Sequence, residues 1–302
     1  MYNRLLFPTD GSEIASSVFE YALAIASEHD AEVHVINVVN TTLDSVADID
    51  RNGIGDLENE GTRIVHEAVE QAEERGITVV PNVVHGKPYE SIIDYGEEFN
   101  IDLIVMPNHG REELERFLLG SVTERVINIS KVPVLTVNPS VDHDHSYPAR
   151  DVLVPTDRSQ GANRALSEGG DLANTTSATL HLLHVVETAM MDPDIGSEPP
   201  DEQLEKRANA IIAEGVEAAD TAPPNSVTRS IVYGRPHREI HSYIKANNID
   251  LIIIGVHGQT DFNQYALGRV SANIVRTSPV PVLMVRQPAA DETDSSCEGN
   301  PQ

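Results

Sequence analysis

Two segments of the chain combine glycines, a histidine and a helix start in a pattern that suits phosphate binding. The first, Ile101–Val137, consists of an apolar strand IDLIVM, the turn PNHG, nine further residues, and then Gly120 followed by an amphipathic run. Glycine lets backbone N–H groups approach a ligand closely. The N-terminus of the following helix adds unpaired N–H donors and a partial positive charge. These residues therefore predict a site for an anionic group such as a phosphate.

The second segment begins at Ile249 and repeats the first in order and spacing. It consists of the strand IDLIII, the turn GVHG, nine further residues, Gly268 and an amphipathic run, and both segments end in a strand that contains VPVL. Six of ten residues match between Ile101–Gly110 and Ile249–Gly258, at an offset of 148 positions. A single pair of glycines would be weak evidence, because most such pairs only close a turn. The repeated pattern is stronger evidence for a duplicated binding unit.

The elements that must position these segments alternate between strand and helix. In the first half the strand RLLFP ends before Asp10, and Ser12 begins an amphipathic helix. A polar connection over 40–56 precedes a predicted helix over Leu57–Arg75, and further strands and helices follow. The second half repeats this order, beginning with the strand DVLVP before Asp157. Alternation of this kind predicts parallel sheets joined by right-handed crossovers.

The two aspartates that follow the first strand of each half are candidate ligand-binding residues. The near-continuous apolar strands IDLIVM and IDLIII fit sheets covered by helices on both faces. Ligands of such sheets bind beyond the carboxyl ends of the strands, where the strand order reverses. If strands one and four are neighbours, Asp10 faces the turn PNHG and Asp157 faces the turn GVHG. We call these two turns the glycine loops of the first and second half. The alternative for both aspartates is a role in the turn that starts the next helix.

The charge of the chain excludes several classes of partner. The sequence carries 48 acidic and 21 basic residues, a net charge of −27, and only four of the basic residues are lysine. Such a surface repels nucleic acid and anionic membranes, so neither is expected as a partner. Strong acidity with scarce lysine also resembles the proteome bias of salt-accumulating archaea, which gives the hypothesis of a halophilic, haloarchaeal protein.

Several kinds of site and location are excluded by what the sequence lacks. Cys297 is the only cysteine, so disulfide frameworks and cysteine-based metal sites are ruled out. The chain has no P-loop, no GxSxG elbow and no HExxH motif. His143 and His145 lie beside two aspartates, but solvated side chains in a flexible linker are the expected interpretation, so no metal site is predicted. No apolar run approaches the ~18 residues of a membrane span, and the N-terminus lacks signal-peptide anatomy, so a cytoplasmic location is expected.

Taken together, these motifs resemble those of the universal stress protein (UspA) family, and the whole chain resembles a tandem two-domain member. The shared motifs cover nearly the entire length: PTD after the first strand, GKP or GRP after the third, DLIV, HG, GSV before the last helix, and PVL in the last strand. The resemblance implies two flavodoxin-like (adenine nucleotide alpha hydrolase-like) α/β domains, each with a five-stranded parallel sheet of order 3-2-1-4-5. Family members pair through their last strands, so the two halves of a tandem chain can pair with each other. A homodimer of such chains is a further assembly to consider.

The repeat also predicts the domain boundaries. Residues 1–140 and 151–287 are expected to be the two domains, 141–150 the linker, and 288–302 a disordered acidic tail. The acidic connections over 44–60 and 187–202 are most simply solvated loops. Both are long for links in such folds, so a role as lids over the pockets is also open.

The resemblance further implies where an adenine nucleotide would bind. Members that bind nucleotide carry glycine, two residues, glycine, nine residues, glycine, and then serine or threonine. In the first half the matching residues are Pro8, Thr9, Asp10, Val38, His109, Gly110, Gly120, Ser121 and Val122. In the second half they are Pro155, Thr156, Asp157, Val185, Gly255, His257, Gly258, Gly268, Arg269 and Val270. The aspartates would border the adenosine, the valines would offer backbone to the adenine, and the loop and helix N–H groups would face the phosphates of ATP, with or without Mg²⁺.

Each half departs from the family pattern at one position. In the first half the first motif glycine is Pro107, which has no N–H and a fixed φ. In the second half that glycine is present as Gly255, but the serine is Arg269. A cation at a helix N-terminus is unfavourable by roughly 0.3–1 kcal/mol unless an anion lies beside it. Arg269 is therefore either a phosphate partner or a plug over an emptied pocket, and the second half is the better binding candidate.

The leading hypothesis is a cytoplasmic stress-response protein that binds ATP as a regulatory module and is not an enzyme. No residue set supplies an evident base for phosphoryl transfer, so any hydrolysis is expected to be slow. One alternative is a nucleotide-free dimerisation or regulatory scaffold, because Pro107 and Arg269 each spoil one motif. Another is an adenine-nucleotide enzyme of related fold, such as an ATP-pyrophosphatase-type ligase or an electron-transfer flavoprotein subunit. Neither the SGGxDS-like loop nor the added substrate domain of those enzymes is visible.

Overall fold

The computed structural model describes residues 1–41, 51–109, 119–138, 146–187, 202–220, 222, 226–258 and 267–286, without the side chains of 51–53. Gly110, the histidines at 143 and 145, and the tail over 288–302 lie outside the described residues, as do 42–50 and 188–201 of the two acidic connections. The predictions made for those residues stay predictions.

Strands and helices alternate through the first half. In chain order the elements are β1 (Arg4–Pro8), α1 (Glu13–His29), β2 (Glu32–Asn40), α2 (Arg51–Glu73), β3 (Val79–Gly86), α3 (Pro88–Glu98), β4 (Leu103–Pro107), α4 (Ser121–Ile129) and β5 (Val134–Val137). Ser12 starts α1 as predicted, because its side-chain oxygen accepts a hydrogen bond from the Ala15 N–H at 3.1 Å. Pro88 occupies the first position of α3, where its missing N–H costs little.

The second half repeats the same order. Its elements are β6 (Asp151–Pro155), α5 (Gln160–Thr176), β7 (Thr179–Glu187), α6 (Glu202–Ala218), β8 (Val227–Gly234), α7 (Pro236–Ala246), β9 (Leu251–Gly255), α8 (Arg269–Thr277) and β10 (Val282–Val285). Ser159 caps α5 as Ser12 caps α1, and its side-chain oxygen accepts from the Ala162 N–H at 3.0 Å. The local signals that start corresponding helices are therefore duplicated as well.

Helix α2 begins earlier than the sequence predicted. We expected a polar connection to residue 56, but the helix starts at Arg51 and passes through Gly53 and Gly55. Glycine weakens a helix interior by about 1 kcal/mol relative to alanine, which is why the sequence favoured a loop there. The apolar residues that α2 buries are Ile64, Val65, Ala68 and Ala72. Packing of that face against the sheet outweighs the local glycine penalty.

The described strands form one continuous sheet in the order β3-β2-β1-β4-β5-β10-β9-β6-β7-β8. Each half has the predicted order 3-2-1-4-5 when it is followed inward from its outer edge, and the strand pairs within each half are parallel. The halves meet at β5 and β10, which pair antiparallel with Leu135 opposite Leu283. The predicted pairing of the two halves through their last strands is confirmed.

Two apolar layers cover the sheet, and each layer extends across both halves. One layer lies under α1, α2, α5 and α6 and includes Phe7, Leu23 and Leu166. The other lies under α3, α4, α7 and α8 and includes Ile104 and Ile252. All five residues of β4 and of β9 are buried, as their continuous apolar sequences predicted. The two halves therefore share their cores instead of only touching at a seam.

A buried histidine in each half connects the sheet to the helix that follows the third strand. His34 contacts Glu32 Oε1 through Nε2 at 2.9 Å and the Tyr95 hydroxyl through Nδ1 at 2.9 Å. His181 makes the same pair of contacts, with Asp151 Oδ1 at 3.0 Å and the Tyr243 hydroxyl at 3.1 Å.

The neutral imidazole satisfies every partner in these two networks. A carboxylate can only accept, so Nε2 donates to it and Nδ1 accepts from the tyrosine hydroxyl. In the first half the tyrosine hydroxyl in turn accepts from Asn82 Nδ2 at 3.2 Å, and in the second half it pairs with Ser230 Oγ at 3.0 Å. Both networks hold α3 or α7 against the sheet.

The last residues before the second half pack against α1. The Tyr147 hydroxyl lies 2.6 Å from His29 Nε2, and its ring meets Tyr21 edge-on with centroids 5.9 Å apart. Burial raises the pKa of Tyr147, which keeps its hydroxyl protonated. This end of the predicted linker is therefore part of the folded structure.

Within the described ranges, no helix is long and apolar enough to cross a membrane. In the same part of the chain no group of three or more His, Cys, Asp or Glu side chains is arranged to hold a metal ion.

Candidate functional site

The two candidate sites lie at opposite edges of the sheet. Strand β10 runs antiparallel to β5, so the carboxyl ends of the strands of one half lie at the edge where the strands of the other half begin. In each half the first and fourth strands are neighbours, as the sequence analysis required. Asp10 and the turn that begins at Pro107 therefore follow adjacent strands, and so do Asp157 and the turn that begins at Gly255.

Both aspartates take part in the turn that starts the next helix. Asp10 Oδ1 accepts from the N–H of Ser12 at 3.0 Å, and Asp157 Oδ1 accepts from the N–H of Ser159 at 2.9 Å. The structure thus contains the turn-forming role that the sequence analysis gave as the alternative.

A side chain from the second strand fixes the end of the first strand in each half. Asn37 Nδ2 donates to Thr9 O at 2.8 Å, and His184 Nδ1 donates to Thr156 O at 2.8 Å. The two residues occupy the same position of the repeat but differ in type, because the fold needs only a donor there. Sequence reasoning missed both, since only the neighbouring Val38 and Val185 belonged to the recognised pattern.

The start of the last helix is joined to the glycine loop in the same way in both halves. The Gly120 N–H donates to Asn108 O at 2.7 Å, and the Gly268 N–H donates to Val256 O at 2.9 Å. Hydroxyls one turn into these helices bind the last carbonyl of the preceding strand: Thr123 to Pro107 O at 3.0 Å and Ser271 to Gly255 O at 2.7 Å. The Gly120 and Gly268 N–H groups are thus bonded within the fold, whereas a phosphate partner was expected for the Gly120 N–H.

The next N–H groups belong to the first turn of each helix, where a helix offers no internal acceptor. They are those of Ser121 and Val122 in α4, and of Arg269 and Val270 in α8. The side chain of Arg269 is exposed at the N-terminus of α8, and none of the described carboxylates forms an ion pair with it. This arrangement keeps the unfavourable charge that the sequence analysis identified.

Pro107 and Gly255 differ in the backbone group that they present to the crevice, which is the gap between the ends of the first and fourth strands of each half. The Ile104 N–H donates to Pro133 O, just before β5, and the Asn108 N–H donates to Val137 O at the end of β5. N–H directions alternate along a strand, so an N–H at position 107 would point toward β1. The pairing of β1 with β4 ends at Ile104, before this position. Proline there loses no sheet bond.

The same alternation places the Gly255 N–H on the β6 side of β9. Ile252 and Val256 donate toward β10, at Pro281 O and Val285 O. The second half therefore has a backbone donor at the point where the first half has none.

Gly255 is also required by packing. A Cβ at this position would lie 2.5 Å from the carbonyl carbon of Gly161 in the first turn of α5, and a Cβ on Gly161 would lie 2.6 Å from His257 O. The first half has Ile14 and Pro107 at these two positions. Two glycines that face each other thus let α5 approach β9 more closely than side chains would allow.

A third difference lies in the turn after the first strand. Gly11 has a φ of 71°, and the equivalent Arg158 has a φ of 67°. Left-handed backbone costs a residue with a Cβ about 1 kcal/mol or more. Arg158 is held in place by two nitrogens that contact the Glu214 carboxylate of α6, with Nε 2.7 Å from Oε2. The second half thus adds an arginine beside Asp157.

The remaining predicted residues are located as follows. Pro8 and Pro155 end β1 and β6, while Val38 and Val185 lie near the ends of β2 and β7. His109 is buried, and His257 and Gly258 are partly exposed. In the second half the turn after β6 also touches the glycine loop, because Ser159 Oγ lies 3.5 Å from His257 O. Gly110 lies outside the described residues.

Comparison with known proteins agrees with this architecture. The family model of the universal stress protein family matches residues 1–138 and 148–286. A solved universal stress protein from Archaeoglobus fulgidus is 30% identical, superimposes with a TM-score of 0.73, and is covered over 99% of its length by 95% of this chain. A universal stress protein of Mycolicibacterium smegmatis is 26% identical over 295 residues, which are 93% of this chain and 96% of that protein.

A third relative matches a single domain. A universal stress protein of Methanocaldococcus jannaschii is 37% identical over 142 residues, which are 45% of this chain and 82% of that protein. The family model matches each half separately, and the residues between the two matches are 139–147. The chain belongs to the universal stress protein family and carries two of its domains in tandem.

Proposed function

We propose that the protein is a cytoplasmic stress-response protein whose second half binds an adenine nucleotide, ATP with or without Mg²⁺, as a regulatory module. The observation that carries the proposal is the grouping, where the strand order reverses, of the Gly255 N–H, the N-terminus of α8 and the exposed Arg269. A helix N-terminus and a cation are both favourable neighbours of phosphate oxygens.

The residues of the second half divide the nucleotide between them. The first-turn N–H groups of α8 and the Arg269 guanidinium bind the phosphates. Asp157 follows β6 beside the crevice, and its carboxylate accepts from ribose hydroxyls. Bound phosphate converts the cost of Arg269 at the helix N-terminus into a favourable interaction.

The first half is the weaker candidate. Pro107 offers no N–H to the crevice, and Ser121 brings a hydroxyl where the second half brings a positive charge. The proposal therefore assigns tight binding to the second half and weak or no binding to the first.

Binding, and not turnover, is the proposed activity. The described residues hold no group of side chains that could bind a metal ion by themselves, so Mg²⁺ would be held mainly by the phosphates. Hydrolysis is expected to be slow, because fast phosphoryl transfer needs a positioned metal and a group that orients the nucleophile.

Isothermal titration of the purified protein with ATP and Mg²⁺ tests the proposal. The variant Arg269→Ser is expected to weaken binding by about tenfold, as expected for loss of a charge-assisted contact. Ser121→Ala, at the matching position of the first half, is the control and is expected to change little. Tighter binding by Arg269→Ser would make the arginine a plug, and no binding by the wild type would refute the proposal.

The second candidate function is a nucleotide-free regulatory scaffold. The observation that favours it is that several predicted ligand groups are used by the fold: the two aspartates cap turns, and Gly255 packs against Gly161. Mass spectrometry of small molecules released from the native protein distinguishes the two functions. ATP, ADP or AMP in the released fraction supports the first. Their absence, together with no thermal shift on addition of ATP and Mg²⁺, supports the scaffold.

The proposed setting is a cytoplasm of high salt, and the proposed assembly is the intramolecular pair. The net charge of −27 supports the former, because screening is needed to offset self-repulsion. Circular dichroism in dilute buffer checks it, since retained helical signal there would contradict it. Strands β5 and β10 are already paired with each other, so a homodimer would have to use another surface.

A further inference from the structure

One side chain of the first half's glycine loop reaches into the second half. Asn108, in the turn PNHG, is only 3% exposed, and its Nδ2 donates to Val275 O at 2.8 Å. Val275 lies in the last turn of α8, where helix carbonyls have no internal donor. A carbonyl can only accept, so this contact fixes the amide nitrogen toward α8. None of the described residues bonds Asn108 Oδ1, so this hydrogen bond is the one that holds the side chain.

The backbone of the same residue builds the loop of the first half. The Asn108 N–H donates to Val137 O at the end of β5 at 3.0 Å, and Asn108 O accepts from the Gly120 N–H at 2.7 Å. Asn108 thus joins the end of β5, the start of α4 and the end of α8. The position of the loop relative to the N-terminus of α4 is therefore tied to a helix of the other half.

The second half has the backbone bonds without the side-chain contact. Val256 occupies the position of Asn108, its N–H donates to Val285 O at 3.0 Å, and its carbonyl accepts from the Gly268 N–H at 2.9 Å. Its side chain is 2% exposed and packs in the apolar layer under α8. The loop of the second half is thus held by apolar packing, whereas the loop of the first half has a polar anchor on its neighbour.

We propose that Asn108 is a positioning residue that anchors the start of the first half's glycine loop on α8, so that Asn108 is held against the N-terminus of α4 only when the second half is docked. The dependence of the glycine loops runs in one direction, because Val256 makes no matching hydrogen bond to α4. The second half does bond the last turn of α4, from Arg286 to Asn128 O, but from the residue after β10 and not from its glycine loop. For nucleotide binding, the inference rests on the proposed function. For loop order it stands on the ligand-free protein alone.

Amide hydrogen exchange measured by NMR on the ligand-free full chain tests the anchor. The Gly120 and Gly268 N–H groups occupy matching positions, and each is protected by one bond to its own loop. In Asn108→Val, which introduces the residue of the second half, Gly120 exchange is expected to rise about tenfold, as expected for loss of one buried hydrogen bond. The exchange of Gly268 is expected to stay unchanged.

Thr136→Val is the matched control. Thr136 Oγ1 donates to Val282 O at 3.3 Å, so it is another side chain that bonds a backbone carbonyl of the other half, but from a strand. This variant is expected to leave both glycine rates unchanged. Equal rises at Gly120 and Gly268 in Asn108→Val, or no rise at either, would overturn the proposal. Asn108→Ala is the second variant if the valine does not fit, and the same outcomes decide.

Nucleotide titration separates this inference from the proposed function. With ATP and Mg²⁺, Asn108→Val is expected to abolish any weak site of the first half and leave the tight site unchanged. If the wild type binds no nucleotide, the proposed function fails while the exchange result still decides the role of Asn108. If the tight site weakens instead, the one-way dependence is wrong.

Discussion

The two halves of the molecule share a scaffold and differ at the positions that border their crevices. Scaffold positions keep their bond when the residue changes, as with Thr123 and Ser271 at the start of the last helix. The positions that border the crevice differ between the halves in the groups they present. Pro107 is replaced by Gly255, and Ser121 by Arg269, so the backbone and the charge offered to a ligand both change. The fold thus constrains geometry at the first kind of position and leaves chemistry open at the second.

A second contrast lies at matching positions of the first helix of each half. Tyr21 of α1 is packed edge-on against Tyr147, while Glu168, at the matching position of α5, is buried and accepts from the Tyr2 hydroxyl at 3.2 Å. Burial raises the pKa of Glu168, and the Arg164 guanidinium at 3.2 Å opposes that rise. One contact is therefore mainly apolar and the other a buried carboxyl with two partners.

The largest expected effect tests the close approach of α5 to β9. Gly255→Ala places a Cβ 2.5 Å from the backbone of Gly161, which cannot rotate away. We expect a loss of about 3 kcal/mol in the free energy of unfolding. Pro107→Ala puts the same side chain at the matching position of the first half and is expected to cost less than about 1 kcal/mol. Denaturant unfolding of both variants measures the difference, and equal losses would contradict the asymmetry.

The next effect tests whether the histidine networks are equivalent. Tyr95→Phe and Tyr243→Phe each leave a buried histidine Nδ1 without its donor, which is expected to cost about 2 kcal/mol in either half. The carboxylates come from different strands, Glu32 of β2 and Asp151 of β6, so equal losses would show that only the bond matters. Tyr89→Phe, whose hydroxyl bonds the exposed Glu90, is the control and is expected to cost under about 0.5 kcal/mol. Unequal losses between Tyr95→Phe and Tyr243→Phe would end the equivalence.

The smallest expected effect is acid sensitivity confined to the first half. Burial, with a smaller contribution from the N-terminal ammonium, lowers the pKa of His29 from 6.5 to about 4. Because the folded state favours the neutral ring, His29 contributes stability above pH 6.5. This contribution is lost as the pH falls from 6.5 through 4. Because the ring is only half-buried, we discount the full linkage energy to about 1.5 kcal/mol.

The variant His29→Thr, which introduces the residue found at position 176, measures that sensitivity. Unfolding at pH 7 and pH 4 is compared within each protein, so the lost contact with the Tyr147 hydroxyl cancels. The wild type is expected to lose about 1.5 kcal/mol more than the variant over this interval. The same loss in both proteins would assign the sensitivity to other groups.

Much of the fold could be predicted, because its signals are local. Apolar strands, the helix start at Ser12 and the GKP or GRP motif after each third strand predicted the element order, and the internal repeat predicted two domains. The start of α2 was wrong, because the local propensity of Gly53 and Gly55 is weaker than packing that the sequence does not display. The candidate site was predicted as a set of positions. The neighbouring first and fourth strands bring Asp10 and Asp157 beside the turns that follow β4 and β9, and the binding role of these residues stays a prediction.

What the sequence by itself determined was the alternation of elements, the duplication and the residue types at each crevice. The partners of those residues were decided only in three dimensions. Gly255 meets Gly161, Asn108 meets Val275, and Asp157 bonds the turn it begins. The reason is physical: periodicity and caps act within a few residues, whereas these contacts join segments that only the parallel strand order and the antiparallel seam bring together.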